Sequence, residues 1–322
     1  MCIRDSPRIS RYKAVSKEIM ALLRTYTPVV EPVSIDEAYM DLSGCEQMFG
    51  DPETIAISIK RNIKDTVQLT CSVGVAPNKF LAKIASDMDK PDGFMIIPAS
   101  KVNAFIESLP IRKVPGVGAM MHQKLDAMGI KMLGDVKRFS EASLLRRLGK
   151  FGNRLFELAS GMDPSPVTPT AEHKSISSEE TLAVNTSDKS VLGRHMLRQS
   201  EDVGRQLRQL ELKAKTVTIK IKHGDFKQKT RRNTISTPTQ SSETIYKEAK
   251  KLLDAYPMEK QVRLIGVGVS GLVSKSAPTQ LDLFNMQDKE DDRWEKVDKA
   301  LDSISQKFGK SAVKRATLKT LE

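Results

Sequence analysis

Cysteine is scarce in this sequence, and the positions of its cysteines exclude two common architectures. The sequence has three cysteines, Cys2, Cys45 and Cys71, which lie far apart and form no CxxC pair. A disulfide framework uses an even number of cysteines, and a structural zinc site uses closely spaced ligand pairs. We therefore expect neither, and we expect reduced thiols in a cytoplasmic protein.

Long apolar runs are also missing. No stretch approaches the roughly 20 residues that cross a bilayer, so we expect no membrane partner. Met1 to Ser6 has no apolar core of the kind that a signal peptide carries. The 322 residues, of which 39% are hydrophobic, suffice for two or three compact domains.

Acidic residues are outnumbered. The sequence has 52 Lys and Arg against 40 Asp and Glu, for a formal net charge of +12. Such an excess indicates a polyanionic partner, of which nucleic acid is the commonest. A soluble protein with a basic surface would have the same composition, so charge alone leaves both interpretations open.

Hydrophobic periodicity divides the chain into parts with different secondary structure. Residues 7–98 alternate helices and strands, whereas residues 99–162 are predicted to be wholly helical, in short units broken by glycine. Residues 163–174 contain several prolines and no periodicity, which indicates an extended linker. Residues 175–272 follow a βαββαβ order, and residues 273–322 form a tail with one predicted helix. The fold class is therefore α+β and multidomain.

An adjacent acidic pair, Asp36 and Glu37, lies between two predicted short strands in the segment Ser34 to Asp41. Carboxylates within an apolar strand pair usually face a metal or a base, because burying them without a partner is costly. Divalent ions held by carboxylates can activate a 3′-hydroxyl and stabilise a leaving pyrophosphate. A hairpin turn with two solvated acids fits the same pattern, and the pair alone does not separate the two.

A glycine turn lies between two short predicted helices at Pro115 to Gly118. Such a turn is typical of a helix-hairpin-helix, in which glycines such as Gly116 and Gly118 let backbone N–H groups approach a DNA phosphate. Residues 148–153 are a weaker repeat of it. A plain helix–helix turn is the alternative. Three flanking basic residues favour DNA: Arg112, Lys113 and Lys124.

Two basic strands are predicted between Lys213 and Arg232, a segment with eight basic residues and one acid, Asp225. Apolar and polar residues alternate in the first strand, so one sheet face should be apolar and the other cationic. A flat cationic sheet suits a duplex backbone and gives salt-sensitive, non-specific binding, although a solvated face is the simpler alternative. We assign DNA contacts to Lys220, Lys222, Lys227, Lys229 and Arg231.

Two features of the C-terminal tail involve apolar residues. Gln280, Leu281, Leu283 and Phe284 form an apolar anchor in polar surroundings, and such anchors often dock in a partner's groove, although a chance apolar run is equally consistent. Five apolar residues then recur at helical spacing and predict a final amphipathic helix: Trp294, Val297, Leu301, Ile304 and Phe308.

In this order, the segments resemble the Y-family of DNA polymerases. Ser34–Asp41 is similar to the family's second carboxylate motif, and Ala76–Gly93 to its palm helix with the lysine that contacts the triphosphate. Pro115–Gly118 is similar to the thumb turn, and His173–Ser177 to the start of the little finger domain. Gln280–Phe284 resembles the motif that docks on the bacterial sliding clamp.

The resemblance implies an architecture of successive domains along the chain. They are a partial palm (7–98), a helical thumb with a helix-hairpin-helix (99–162), a linker (163–174), a little finger (175–272) and a clamp-binding tail with one helix (273–322).

The resemblance also implies an activity, namely template-directed DNA synthesis in error-prone translesion synthesis and repair, without proofreading. Asp36 and Glu37 would be the catalytic carboxylates and ligands of two Mg²⁺ ions, and Lys90 would contact the incoming nucleotide. The implied partners are primer–template DNA, a dNTP and the sliding clamp, with the protein acting as a monomer.

One part of the family pattern has no counterpart in this sequence. The family begins with a strand that carries another metal-binding Asp, followed by an aromatic steric gate and a small fingers domain. Met1 to Ser6 resembles nothing in the family, so we expect residues 1–6 to be a non-native start and the metal site to be incomplete. We expect primer extension by this chain to be weak or absent. An inactive DNA- and clamp-binding fragment and a mutagenesis-complex polymerase subunit are alternatives.

Overall fold

The computed structural model describes residues 8–170, 172–277, 287–309, 312–313 and 315–321. It divides into two compact units, Met1–Ala171 (unit 1) and Glu172–Glu322 (unit 2). Both units contain helices and strands, as the predicted α+β class requires. Within the described ranges, no helix is both long and apolar enough to cross a bilayer.

The first half of unit 1 consists of two small sheets and the helices that pack on them. Its elements in chain order are α1 (Ile9–Leu23), β1 (Val30–Pro32), β2 (Ala38–Met40), α2 (Glu46–Phe49), α3 (Pro52–Val67), β3 (Val73–Val75), α4 (Lys79–Met88) and β4 (Phe94–Ile96). Strands β1 and β2 pair antiparallel, and β3 and β4 pair parallel. All of these elements except the short helix α2 were predicted from the sequence.

Helix α3 shows how the local sequence determines a boundary and a buried face. The Asp51 side chain accepts the Thr54 N–H at 2.7 Å, and Pro52 occupies the first turn, two features that favour a helix start. Ile55, Ile59 and Ile63 recur at helical spacing and are buried in a core that includes residues of α1 and β1. The same helix carries Lys60 beside this apolar face.

The second half of unit 1 is helical, as predicted, and contains α5 (Val102–Ser108), α6 (Ala119–Ala127), α7 (Glu141–Leu148) and α8 (Lys150–Ala159), joined by short 3₁₀ turns. Its core contains Leu125, Leu144 and Leu155, all fully buried. Phe80 and Leu81 of α4 belong to the same core. Helix α4 is therefore held against the helical half as well as against β3.

The first part of the predicted linker has no helix or strand, but it is anchored to unit 1. Asp163 accepts the Phe80 N–H at 2.9 Å and an Arg154 N–H at 2.6 Å. Although burial raises the pKa of Asp163, hydrogen bonds from Ser165 and Arg154 hold it below the ordinary value. The chain from 162 to 168 therefore follows a defined path on this unit.

Unit 2 has the predicted βαββαβ order. Its elements are β5 (Ser175–Thr186), α9 (Lys189–Gln209), β6 (Leu212–His223), β7 (Gln228–Thr239), α10 (Ser242–Asp254) and β8 (Val262–Ser274). The four strands form one antiparallel sheet in the order β5-β8-β6-β7. Val217, Ile219 and Ile221 of β6 are buried in a core with residues of α9 and α10, so the helices cover one face of the sheet. The other face is open.

The predicted C-terminal helix is present as α11 (Gln287–Phe308), and Trp294, Leu301 and Ile304 of its apolar side are partly buried. Val297 and Phe308 are exposed to 40% and 74%, whereas the carboxylate of Asp298 is buried. Arg208 of α9 donates to Asp298 at 3.0 Å and to Asp302 at 2.6 Å, which supplies the partner that a buried carboxylate needs. Burial raises the pKa of Asp298, although its contacts with Ser242 and Arg208 oppose the rise.

Candidate functional site

The acidic pair lies in the hairpin that joins β1 and β2, as predicted. The N–H groups of Val33 and Ser34 donate to the Glu37 carbonyl at 2.9 and 3.2 Å and close the turn. The Ser34 hydroxyl donates to Asp36 Oδ1 at 2.5 Å. Asp36 is exposed at the tip of the hairpin, and Glu37 is half-buried beside it.

Helix α4 and the turn that follows it bring a row of alternating charges to this hairpin. Lys83 Nζ lies 2.6 Å from Glu37 Oε1 and 4.0 Å from Asp87, and Lys90 Nζ lies 2.6 Å from Asp87. The hydrogen bond from Lys90 is the main reason that the pKa of Asp87 is lowered. The structure thus links two residues that the sequence analysis singled out, Glu37 and Lys90, through Lys83 and Asp87, whereas the Asp36 carboxylate bonds Ser34 at the hairpin tip.

The sequence analysis missed Lys83 and Asp87 as members of this cluster. The available signal was their spacing, because 83 and 87 are four residues apart on one face of α4 and Lys90 follows three residues later, just beyond the helix end. Contact with Glu37 could not be read from spacing, since it joins residues 46 positions apart.

A second ion pair lies beside the first. Lys79 Nζ bonds both oxygens of Glu31, at 2.6 and 2.8 Å, and lies 4.9 Å from the centre of the Tyr39 ring. Glu31 also accepts the Thr168 N–H at 2.7 Å. Although burial raises the pKa of Glu31, these hydrogen bonds keep it below its ordinary value, whereas burial and then Glu37 raise the pKa of Tyr39. The hairpin, α4 and the linker are thereby tied together.

The chemistry of the acidic pair fits a hard divalent cation. Asp36 and Glu37 offer carboxylate oxygens, and Mg²⁺ in nucleotide enzymes is commonly held by one or two carboxylates together with water and substrate phosphates. In the part of the chain that the structure describes, no three His, Cys, Asp or Glu side chains are grouped so as to hold a metal without such help. Lys83 is the cation that now neutralises Glu37.

The glycine turn precedes α6, and it joins two helical segments as predicted. Gly116 has φ +91°, a conformation that favours glycine, and a Cβ there would lie 2.8 Å from the Phe151 ring. Gly118 is the N-cap of α6 in extended conformation, and no side chain caps that helix end. The second turn, at Gly149, leads directly into Phe151, so the two turns of the predicted repeat adjoin.

The register of the sheet in unit 2 divides the predicted DNA-binding residues between two faces. Lys220 and Lys222 alternate with buried residues of β6 and lie on the open face. Lys229 pairs with Ile221 and Arg231 with Ile219, so both lie on the helix side, where Arg231 stacks on Tyr256 at 5.5 Å. The prediction of one shared cationic face is therefore wrong for these two residues. Lys227 precedes β7, in the hairpin.

The open face has few side chains at its centre. Gly266 and Gly268 of β8 lie between β5 and β6, opposite Lys220 and Thr218 respectively. They form the floor of a shallow groove of about 250 Å³ that is lined by serine and threonine hydroxyls. Lys220 at its edge is paired with Glu179 at 2.5 Å. Arg232 of β7, which pairs with Thr218 of β6, was not assigned from the sequence but lies on this face.

Two sequence predictions fall outside the described residues. These are the apolar anchor, Gln280, Leu281, Leu283 and Phe284, and the non-native start, residues 1–6.

Comparison with known proteins gives first the class of the protein. Residues 112–163 match a family model described as "DNA polymerase-iota, thumb domain". Residues 2–87 match the impB/mucB/samB family, and residues 173–283 match the C-terminal domain of that family. The class is that of the DNA-directed DNA polymerases.

Relatives and solved structures then give the family. Curated proteins named DNA polymerase IV from Desulfatibacillum aliphaticivorans and Clostridium kluyveri are 39% and 38% identical to this chain. The matches span 97% and 95% of this chain and 79% and 78% of those proteins. A solved "Y-family DNA polymerase chimera Dbh-Dpo4(243-245)-Dbh" superposes with a TM-score of 0.76 at 29% identity, over 83% of this chain and 78% of that one. The chain belongs to the Y-family of DNA polymerases, the impB/mucB/samB family.

Proposed function

We propose that the chain acts in error-prone translesion synthesis and DNA repair, transferring a nucleotide from a dNTP to a primer 3′-hydroxyl without proofreading. The observation that carries this proposal is the acidic hairpin of Asp36 and Glu37 beside Lys83 of α4, which is linked through Asp87 to Lys90 in the turn after that helix. Relatives named DNA polymerase IV support it, as does a solved "Insertion ternary complex of Dbh DNA polymerase" with a TM-score of 0.57.

Each residue of the cluster has a role in the proposed reaction. Asp36 and Glu37 would hold Mg²⁺, two ions per site together with the further Asp that the family carries on its first strand, and Lys83 would balance the charge of Glu37 while no cation is bound. Bound Mg²⁺ supplies charge neutralisation at the phosphoryl oxygens and promotes ionisation of the primer hydroxyl. Lys90, half-exposed and held by Asp87, exchanges that carboxylate for the phosphates of the nucleotide.

DNA contacts are proposed on the open face of unit 2 and, separately, at the two glycine turns of unit 1. Hydroxyls, backbone N–H groups and the ammonium of Lys222 contact phosphates, which carry no sequence information. Arg232 joins this set because of its register. Gly116 and Gly118 serve the same purpose at the start of α6. Lys229 and Arg231 should contribute little to DNA binding, since they lie on the helix side of the sheet.

The remaining proposals concern domains and partners. The division into palm, thumb, linker, little finger and tail is supported by the unit boundary after Ala171 and by the thumb match over residues 112–163. Gln280 to Phe284 is proposed to dock on a bacterial sliding clamp, with the polymerase acting as a monomer. The free thiols of Cys45 and Cys71 support a reducing cytoplasm.

The test is nucleotide insertion into a primer–template with Mg²⁺, by the chain alone and by the chain joined to the first strand and fingers of a DNA polymerase IV relative. Asp36→Asn and Glu37→Gln should each reduce insertion at least ~100-fold, and Lys90→Ala should mainly raise the KM for dNTP. Asp65→Asn, at an exposed acid of α3, is the matched control. Insertion that survives Asp36→Asn would refute the proposal. Tight DNA binding without insertion by the joined protein would favour an inactive DNA-binding chain.

A further inference from the structure

Lys60 of α3 lies beneath the turn that follows Lys90. Its ammonium donates to four oxygens: the Cys71 carbonyl at 2.5 Å, Asp92 Oδ1 at 2.6 Å, the Asp92 carbonyl at 2.9 Å and the Gly93 carbonyl at 3.2 Å. An ammonium has three N–H donors, so all of them are engaged. The side chain is only 19% exposed. One cation thus joins three separate segments: α3, the chain before β3, and the turn between α4 and β4.

The turn has little conformational freedom of its own. Asp92 has φ +53°, a region that few residues other than glycine, asparagine and aspartate enter. A Cβ at Gly93 would lie 2.2 Å from the Asp89 carbonyl. The Gly93 N–H donates to the Ser72 hydroxyl at 3.0 Å. Oxygens converge on one point in this turn, and without the ammonium their partial charges would repel one another.

Lys90 begins this turn, two residues before Asp92. On its other side it follows α4, where Asp87 holds its ammonium at 2.6 Å. The backbone of Lys90 is therefore fixed by α4 on one side and by the contacts of Lys60 on the other. We propose that Lys60 is a positioning residue for Lys90, fixing the turn so that the ammonium of Lys90 is presented to the nucleotide phosphates. This inference rests on the role of Lys90 proposed above.

The expected effect is moderate. A displacement of about 1 Å in a positioned group can cost up to about 100-fold in rate. Lysine is a point charge on a flexible stem and can recover part of such a displacement. We therefore expect loss of Lys60 to weaken dNTP binding about tenfold.

The experiment measures dNTP binding without chemistry. The full chain is bound to a primer–template with a dideoxy-terminated primer and Mg²⁺, and the Kd of the correct dNTP is determined by fluorescence. Lys60→Met should weaken binding about tenfold and Lys60→Arg less than about threefold, because a guanidinium can donate to the same carbonyls. Lys64→Met, at an exposed lysine one turn further along α3, should have no effect.

A double-mutant cycle separates positioning from a general structural role. If Lys60 acts through Lys90, Lys60→Met should add no loss in a Lys90→Ala background. An equal loss in both backgrounds, or no loss in either, would overturn the inference alone. If Lys90→Ala has no effect on the Kd, the proposed role of Lys90 fails and the inference fails with it. If the unmodified chain binds no dNTP, the same cycle is measured in the chain joined to the first strand and fingers of a DNA polymerase IV relative.

Thermal unfolding of each variant shows whether Lys60→Met disturbs folding. If it does, Asp92→Asn takes its place in the same cycle. That substitution keeps an oxygen for Lys60 and a residue type that tolerates φ +53°, but it removes the charge of the pair. A smaller weakening that again disappears in the Lys90→Ala background supports the proposal, and an unchanged Kd overturns it.

Discussion

The two faces of the unit 2 sheet allow a test in which charge is constant and only position differs. One double variant, Lys222→Ala with Arg232→Ala, removes two cations from the open face, and a second, Lys229→Ala with Arg231→Ala, removes two from the helix side. Both lower the net charge by two, from +12 to +10. Each phosphate contact contributes about 0.9 to the slope of log K against log salt. The open-face variant should therefore flatten the slope by about 1.8 and the helix-side variant by about zero.

The assay is fluorescence anisotropy of a labelled primer–template between about 50 and 200 mM salt. Lys220→Ala is a useful third variant, since the Lys220 ammonium already has Glu179 as a partner at 2.5 Å and should affect the slope less than Lys222. Circular dichroism would show that each variant is folded. Equal slopes for the two double variants would refute the reasoning, because net charge rather than the register of β7 would then determine DNA binding.

Three further predictions concern the thumb turn, the linker and the tail. Gly116→Ala should lower the free energy of unfolding by about 1–3 kcal/mol, because φ is +91° and the new Cβ meets an aromatic ring, whereas Gly118→Ala, in open space at φ −80°, should cost less than about 0.5 kcal/mol in urea unfolding. The pKa of Asp163 is lowered on folding, so its contribution to stability is present above the ordinary value of 3.8 and is lost as pH falls through the lowered pKa. In Asp163→Asn this group no longer titrates, so the free energy of unfolding should fall less at low pH than in the unmodified chain. An equal fall in both proteins over a pH series would contradict this. Leu283→Ala with Phe284→Ala should abolish sliding-clamp capture in a pull-down and leave DNA affinity unchanged, and retained capture would count against the assignment.

Much of the fold follows from local pattern. The alternation of Val217, Ile219 and Ile221 predicts strand β6 and its buried face, and the structure confirms both. Helices α9 and α10 and the order of elements in unit 2 were also predictable, because each depends on periodicity within a single segment. The hairpin of the acidic pair was predictable for the same reason.

The register in which β6 pairs with β7 was not predictable from such patterns. Lys222 pairs with Gln228, so even-numbered residues of β7 share a face with even-numbered residues of β6. That parity is set by the hairpin, where the His223 N–H donates to the Lys227 carbonyl and Phe226 has φ +64°. A loop one residue longer or shorter would move Lys229 to the other face. Composition of the segment carries no information about this choice.

Contacts between distant residues account for the other failures. The apolar spacing of α11 correctly predicted a helix, but the burial of Asp298 could not be predicted, because its partner Arg208 lies 90 positions earlier. A guanidinium at that place offsets part of the cost of burying a carboxylate, which the sequence of the helix alone does not show. Contact between Lys83 and Glu37 in the candidate site was hidden for the same reason.

The acidic docking of α11 has a practical consequence for anyone who shortens this polymerase. A cut after β8 would remove Asp298 and Asp302 and leave the Arg208 guanidinium, now 8% exposed, without its counter-ions. Lys213 would lose Glu295, which lies 3.5 Å away. The trimmed protein would then display a second basic surface, on the helical side of the sheet, that the longer chain keeps neutralised. DNA affinities measured on such a fragment would include a contribution from this artificial surface, and the fragment would be a poor standard for the longer chain.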